Sequence, residues 1–249
     1  MNYNPFSIEG KTILITGANS GIGMATAIEC SKMGAKVVIT ARNEERLKRT
    51  FNMLEGTGHA MIIADLSDCE QLDYLVDQLP DIQGLVNNAG ITETCPTQFI
   101  KREKLEKVLE VNTIAPILLT QKVLKKKRVG KGGSIVFTCS ISGTSVCVGG
   151  NVLYSASKGA VRGFVMNAAL DLAAKGIRVN EVCPGMINTH ILDAGTISKE
   201  QLAVETQRYP MKRFGAPKEV AHGIIYLLSD ASSFVTGSDI VIDGGFTLQ

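Results

Sequence analysis

Residues 11–23 read KTILITGANSGIG. A β-branched apolar run, KTILIT, passes directly into a loop carrying Gly17, Gly21 and Gly23, and a helical pattern follows. A loop without Cβ atoms lets backbone N–H groups close on a pyrophosphate at a helix N-terminus. The spacing is GxxxGxG rather than the commoner GxGxxG, so a plain glycine turn is the competing reading. Its place after the first strand favours a dinucleotide loop.

Outward from this loop the chain alternates. Short apolar runs at 35–40, 59–64, 83–88, 133–138, 177–182 and 237–243 join 11–16 as strand candidates. Several are apolar at consecutive positions, as strands covered on both faces should be. Helical periodicity occupies 43–54, 67–78, 101–127, 153–174 and 217–228. Strand–helix alternation implies parallel strands with right-handed crossovers. The expectation is one α/β domain over 1–249, a doubly wound parallel sheet of about seven strands with helices on both faces. The strand-free stretch 184–216 reads as an insertion over the active site, with a lid at roughly 190–212.

Composition narrows the function. Apolar residues make up 45% and charged residues 20% of 249, with a net charge of +2. Such a balance gives no global case for nucleic acid or a membrane surface. No apolar run approaches the ~18 residues of a membrane span. The start, MNYNPFSIEGK, lacks a signal-peptide core, so the cytoplasm is the expected location. Cysteines 30, 69, 95, 139, 147 and 183 form no CxxC pair and read as buried small hydrophobes, not as a disulfide framework or zinc site. Histidines 59, 190 and 222 form no cluster, and no metal is expected. The basic run KVLKKKRVGKGG (122–133) reads as the solvated end of a long helix, where cations complement the terminal carbonyls.

A second stretch carries chemistry. NVLYSASKGAVRGF (151–164) puts Tyr154 and Lys158 four apart, on one face of a helix, among small residues. In isolation this is an ordinary amphipathic pair. An ammonium beside a phenol favours phenolate, which suits proton exchange with an alkoxide or alcohol. Ser140 closes the run GSIVFTCS, at a strand's carboxyl end. Asn112 lies in a long helical segment four residues before Pro116, whose missing N–H leaves the Asn112 carbonyl free.

Together, TGANSGIG, NNAG (87–90), Asn112, Ser140, YSASK and Pro184–Gly185 resemble the short-chain dehydrogenase/reductase family, in that family's order and across nearly the whole chain. Bacterial 3-oxoacyl-[acyl-carrier-protein] reductases are among the similar members. The resemblance implies a Rossmann-type sheet, a nicotinamide cofactor and hydride transfer at a carbonyl or alcohol carbon. It implies a catalytic set of Asn112, Ser140, Tyr154 and Lys158, with a relay from Lys158 through water to the Asn112 carbonyl. Alignment of SIVFTCSISG favours Ser140 over Ser142, which stays an alternative; the spacing to Tyr154 requires one extra residue in TSVCVGGNVL.

The cofactor would lie along Gly17, Asn19, Ser20, Gly21, Ile22 and Gly23, with Asp65 and Leu66 beside adenine. Asn87, Ala89 and Gly90 would stand near ribose, and Pro184, Gly185, Ile187 and Thr189 near the carboxamide, together with Tyr154 and Lys158. Arg42, with no carboxylate at position 41, points to NADP(H) rather than NAD(H). The expected substrate is a 3-oxoacyl group on acyl carrier protein. Lys131 and Lys175 are taken as a basic rim near the pocket mouth for that acidic partner, and Glu93 is a departure from the relatives' pattern. Sugar, polyol or hydroxysteroid oxidoreduction is the alternative, and a non-catalytic dinucleotide sensor a distant one. Residues 92–99 and 190–212 would shape the pocket. A homotetramer is expected from resemblance alone.

Overall fold

A computed structural model describes residues 3–189 and 199–249. Seven strands form one parallel sheet: β1 (Thr12–Thr16), β2 (Lys36–Ala41), β3 (Ala60–Ile63), β4 (Ile82–Asn87), β5 (Val129–Thr138), β6 (Arg178–Pro184) and β7 (Asp239–Ile242). Their spatial order is β3-β2-β1-β4-β5-β6-β7. The direction of winding reverses between β1 and β4. A ligand crevice opens at such a switch point, outside the strands' carboxyl ends.

The helices are α1 (Gly21–Lys32), α2 (Glu44–Phe51), α3 (Cys69–Gln78), α4 (Arg102–Leu109), α5 (Ala115–Lys125), α6 (Val152–Ala173), α7 (Lys199–Gln207) and α8 (Pro217–Leu228). They sandwich the sheet. Along β1, Ile13 and Ile15 join one apolar cluster with Val220 and Ile224 of α8, while Leu14 joins the other with Leu72 of α3 and Val165 of α6. Side chains alternate between faces with period two, and both faces are covered, which is why the strand runs are apolar throughout. Side-chain caps start two crossover helices: Asn43 accepts from Arg46 N–H, and Asp68 from the N–H groups of Glu70 and Gln71.

The segment expected as one helix at 101–127 is broken. Glu110–Ile114 is a π turn in which the Ala115 N–H reaches the Glu110 carbonyl, five residues back. Pro116 then enters the first turn of α5, where an N–H is not needed. The basic run is not a free patch: Lys122, Lys126 and Arg128 pair with Asp73, Asp77 and Asp81. Cysteines 30, 95, 139 and 183 are buried as expected, but Cys69 and Cys147 are exposed. No described helix is long and apolar enough to cross a membrane.

Candidate active site

A cleft of about 1310 Å³ runs along the carboxyl ends of the strands, from Arg42 past the glycine loop to Tyr154 and on to Tyr209 and Phe246. The loop after β1 is built so that backbone can approach backbone. Gly17 has φ +64°, and a Cβ there would stand 2.8 Å from the Ala89 Cα. A Cβ on Gly23 would meet the Asn88 amide nitrogen and the Gly17 carbonyl, each at 2.5 Å. Gly23 therefore serves loop–helix packing and does not line the cleft. Gly17, Asn19, Ser20, Gly21 and Ile22 do line it. Ser20 caps α1 without a side-chain hydrogen bond, which leaves the helix N-terminus facing the cleft.

Asn87 departs from its expected place. Its amide donates to Thr120 Oγ1 on the buried side, and the cleft is lined instead by Asn88, Ala89 and Gly90. Thr16 sets this loop: its hydroxyl donates to the Val86 carbonyl and accepts from the N–H groups of Asn88 and Ala89. Local sequence did not single out Thr16, because its partners lie some seventy positions away.

Three elements, the π turn, the end of β5 and α6, bring the four expected catalytic residues together. Lys158 on α6 is buried, and its ammonium donates to the Thr138 carbonyl at 2.8 Å, at the end of β5. That ammonium also stands 5.6 Å from the centre of the Tyr154 ring, one turn earlier. Ser140 is buried and lines the cleft; its Oγ accepts from the Ser142 N–H. Ser142 Oγ is already engaged, with Ser155 Oγ at 2.9 Å and the Asn151 amide at 3.0 Å. Asn112, inside the π turn, lies behind the cleft wall. Its amide clamps Ile91 through both N–H and C=O and donates to Ser157. Its oxygen and the Lys158 ammonium both lie within 4 Å of the point where a Cβ on Gly90 would stand.

At the opposite end, Arg42 is exposed and reaches Asp65 at only 3.5 Å. Burial would raise the Asp65 carboxyl, but hydrogen bonds from Ser67 and the Arg42 charge outweigh it and hold it below its ordinary value. Arg46 and Asn43 also line the cleft. Pro184, Gly185, Ile187 and Thr189 line the middle.

Beyond Tyr154 the walls come from Thr92, Thr94, Cys147, Val148, Glu205, Arg208, Tyr209 and Phe246. Burial pushes the Tyr209 phenol up, and its oxygen accepts from the Met186 N–H. The expected pocket stretch 92–99 thus contributes, as does 205–209 within the proposed lid; residues 190–198 of that lid lie outside the described residues. Lys131 is not at the mouth. It lies at the amino end of β5, its side chain against Gly176, the residue that follows Lys175, and it lines a smaller cavity. Past the irregular stretch at 129–134, the extended run from Ser134 to Ser140 alone puts roughly 20 Å between Lys131 and Ser140 at ~3.3 Å per residue.

Residues 17–247 match the family described as Enoyl-(Acyl carrier protein) reductase. The chain belongs to the short-chain dehydrogenase/reductase family. It is 34% identical over 241 residues to the 3-oxoacyl-[acyl-carrier-protein] reductase FabG of Rickettsia felis, covering 97% of this chain and 98% of the relative. It is 35% identical over 248 residues to the glucose 1-dehydrogenase of Gluconobacter oxydans, covering 96% of this chain and 92% of that one. Among solved structures, a short-chain type dehydrogenase/reductase from Mycobacterium marinum superposes with a TM-score of 0.90 at 32% identity, over 98% of each chain. Short-chain dehydrogenases/reductases are oxidoreductases that act at CH–OH groups with a nicotinamide dinucleotide, and this chain is one.

Proposed function

We propose that the protein is an NADP(H)-dependent reductase whose substrate is a 3-oxoacyl group carried on acyl carrier protein, reduced to the 3-hydroxyacyl form. The observation that carries the reductase reading is the meeting of Ser140, Tyr154 and Lys158 in one cleft with an open helix N-terminus and a Cβ-free loop. That cleft has the length and chemistry a dinucleotide needs: amides at the pyrophosphate position, Asp65 and Leu66 beyond them, and Arg42 at the far end. The Arg42 guanidinium suits a 2′-phosphate, and no carboxylate at position 41 repels one.

The nicotinamide supplies or accepts the hydride. Tyr154 donates the proton to the substrate oxygen during reduction and takes it back in the reverse direction. Lys158, held by the Thr138 carbonyl, places its ammonium 5.6 Å from the centre of the Tyr154 ring, where it attracts the negative charge that proton transfer leaves on the phenol oxygen. Ser140 donates a hydrogen bond to the same substrate oxygen; Ser142 is the weaker candidate because its hydroxyl already has two partners. Asn112 closes the wall behind Lys158, where its carbonyl is the end of a water relay. Single-domain organisation over 1–249, a homotetramer and a cytoplasmic setting complete the reading, each supported by family resemblance.

The carrier-bound substrate is supported by the FabG likeness. It loses one argument, since Lys131 stands at the amino end of β5, away from the cleft. The glucose 1-dehydrogenase likeness at similar identity favours a sugar or polyol as the second reading. NADPH oxidation measured across 3-oxoacyl thioesters, their carrier-protein forms, sugars and hydroxysteroids decides between them. Turnover confined to the thioesters is expected; turnover confined to sugars or steroids overturns the substrate, and none with any carbonyl compound overturns the reductase reading.

A further inference from the structure

Between the sheet and the catalytic helix, behind the cleft wall that Cys139 helps to form, lies a polar group that the proposed reaction does not use. Among the described residues, Cys139, Glu181 and Cys183 place their donor atoms within 4.8 Å of one another, and all three are buried. The parallel register explains the grouping. Phe137 pairs with Glu181 and Thr138 with Val182, and the ladder continues as the Cys139 N–H donates to the Val182 carbonyl. Cys139 and Cys183 therefore fall side by side on the face that packs against α6.

Glu181 is out of place for a core strand. It is fully buried beside Phe137, and burial pushes its carboxyl up. One oxygen, Oε1, accepts from Arg162 at 3.2 Å and stands 3.6 Å from Cys183 Sγ. The other, Oε2, has no hydrogen-bond partner among the described residues. An orphaned buried carboxylate oxygen is costly, and a missing ion is one of its standard explanations.

We propose that Cys139, Cys183 and Glu181 form a structural site for a zinc-class divalent cation. A tetrahedral zinc with ordinary Zn–S and Zn–O bonds separates a sulfur from a carboxylate oxygen by about 3.6 Å. The Cys183 thiol, which donates to Glu181 Oε1 at 3.6 Å, already stands at that spacing from the carboxylate, and loss of its proton would open Oε1 as well as the unpartnered Oε2 to the cation. The Cys139 thiol donates to the Lys158 carbonyl at 3.3 Å, which seats its sulfur against the helix, and a tetrahedral ion with three protein ligands takes water in its fourth position.

Charge also closes. In the empty site Arg162 and Glu181 cancel while both thiols are neutral. Binding M²⁺ with loss of the two thiol protons to solvent leaves the sum unchanged: two positive charges on the metal, two negative on sulfur. Arg162 is partly exposed and bridges outward to Asp239 at 3.3 Å, which marks the way in. A bound cation would tie the end of β5 before Ser140 to the end of β6 before Pro184, beneath the helix that carries Lys158. Its role is to brace the parts of the site against one another.

Cobalt(II) titration of the reduced, chelator-treated protein tests this. The expected result is one equivalent bound per chain, with thiolate-to-cobalt charge-transfer absorption and the intense visible bands of a tetrahedral site. Zinc should displace it and raise Tm. Cys139→Ala and Cys183→Ala should each abolish the charge-transfer band, and Glu181→Gln should weaken binding by at least ~10-fold. A double variant of the exposed cysteines, Cys69→Ser with Cys147→Ser, should keep the band. Absence of the band in the wild-type protein overturns the proposal whatever the variants do. So does its survival in folded Cys139→Ala, its loss in the Cys69/Cys147 variant, or a thiol count showing Cys139 and Cys183 joined as a disulfide.

Discussion

The two ends of the cleft hold their cations in opposite ways. Lys158 is buried, its ammonium donates to a strand-end carbonyl at 2.8 Å, and it lies one helical turn from Tyr154. Arg42 is exposed and touches a single carboxylate oxygen at 3.5 Å. The first is preorganised, with its orientation set before any ligand arrives, which is what a group acting on the reacting atoms requires. The second is held loosely in water, where an isolated ion pair contributes little. One end is fixed by packing, and the other is an adjustable rim.

The largest expected effect breaks the comparison at its buried end. Tyr154→Phe removes one hydroxyl and leaves the glycine loop intact, so NADPH binding should persist while kcat falls by roughly 10²–10⁴-fold. Steady-state kinetics beside a fluorescence titration check both halves. Ser142→Ala is its companion and should cost far less than Ser140→Ala, since the Ser142 hydroxyl is engaged by Ser155 and Asn151. Near-normal turnover in Tyr154→Phe would remove the proton-donor assignment.

At the exposed end the effect is smaller and selective. Arg42→Asp should invert a preference for NADPH over NADH. Charge-assisted hydrogen bonds contribute ~1.5–3 kcal/mol each, which sets the shift at about tenfold to a hundredfold. Affinities for both cofactors, measured on parent and variant, decide the point. Equal affinities in the parent would mean that Arg42 does not choose.

The smallest effect sharpens the comparison with a third pair, exposed but well oriented. Arg213 grips both oxygens of Glu219 at 2.7 Å, and Glu219 also accepts from the Ala216 N–H at the start of α8. The Arg213 hydrogen bond, with that N–H, lowers the Glu219 carboxyl to about 2. A depressed carboxylate stabilises the fold above its unfolded value near 4.5, and that contribution disappears as pH falls towards 2. Glu219→Gln should therefore lower Tm by a few degrees at neutral pH and leave it unchanged near pH 2, with a free-energy effect of about 1 kcal/mol or less because the pair is solvated. A Tm difference independent of pH would show that capping geometry, not charge, is at work.

Legibility followed the range of the interactions. The strand candidate at 11–16 and the glycine loop were readable because a buried parallel strand writes its two-sided burial into consecutive apolar residues. Tyr154 and Lys158 were readable because four residues on one helix place them on one face. The break at 110–114 was readable only as the influence of Pro116; that it takes the form of a π turn depends on Asn112 being clamped to Ile91 and Ser157.

The sequence by itself determined the doubly wound sheet, the dinucleotide loop and the helix-borne Tyr–Lys pair, since periodicity and short spacings encode local geometry directly. Tertiary structure decided what depends on neighbours distant along the chain. It turned Asn87 towards Thr120 and gave the cleft wall to Asn88, and of the two serines in the cleft it tied the Ser142 hydroxyl to Ser155 and Asn151. It carried Lys131 to the opposite end of β5 and set Cys139 beside Cys183 with a buried carboxylate. Each of these outcomes follows from strand register or helix docking, which bring together residues that no local pattern connects.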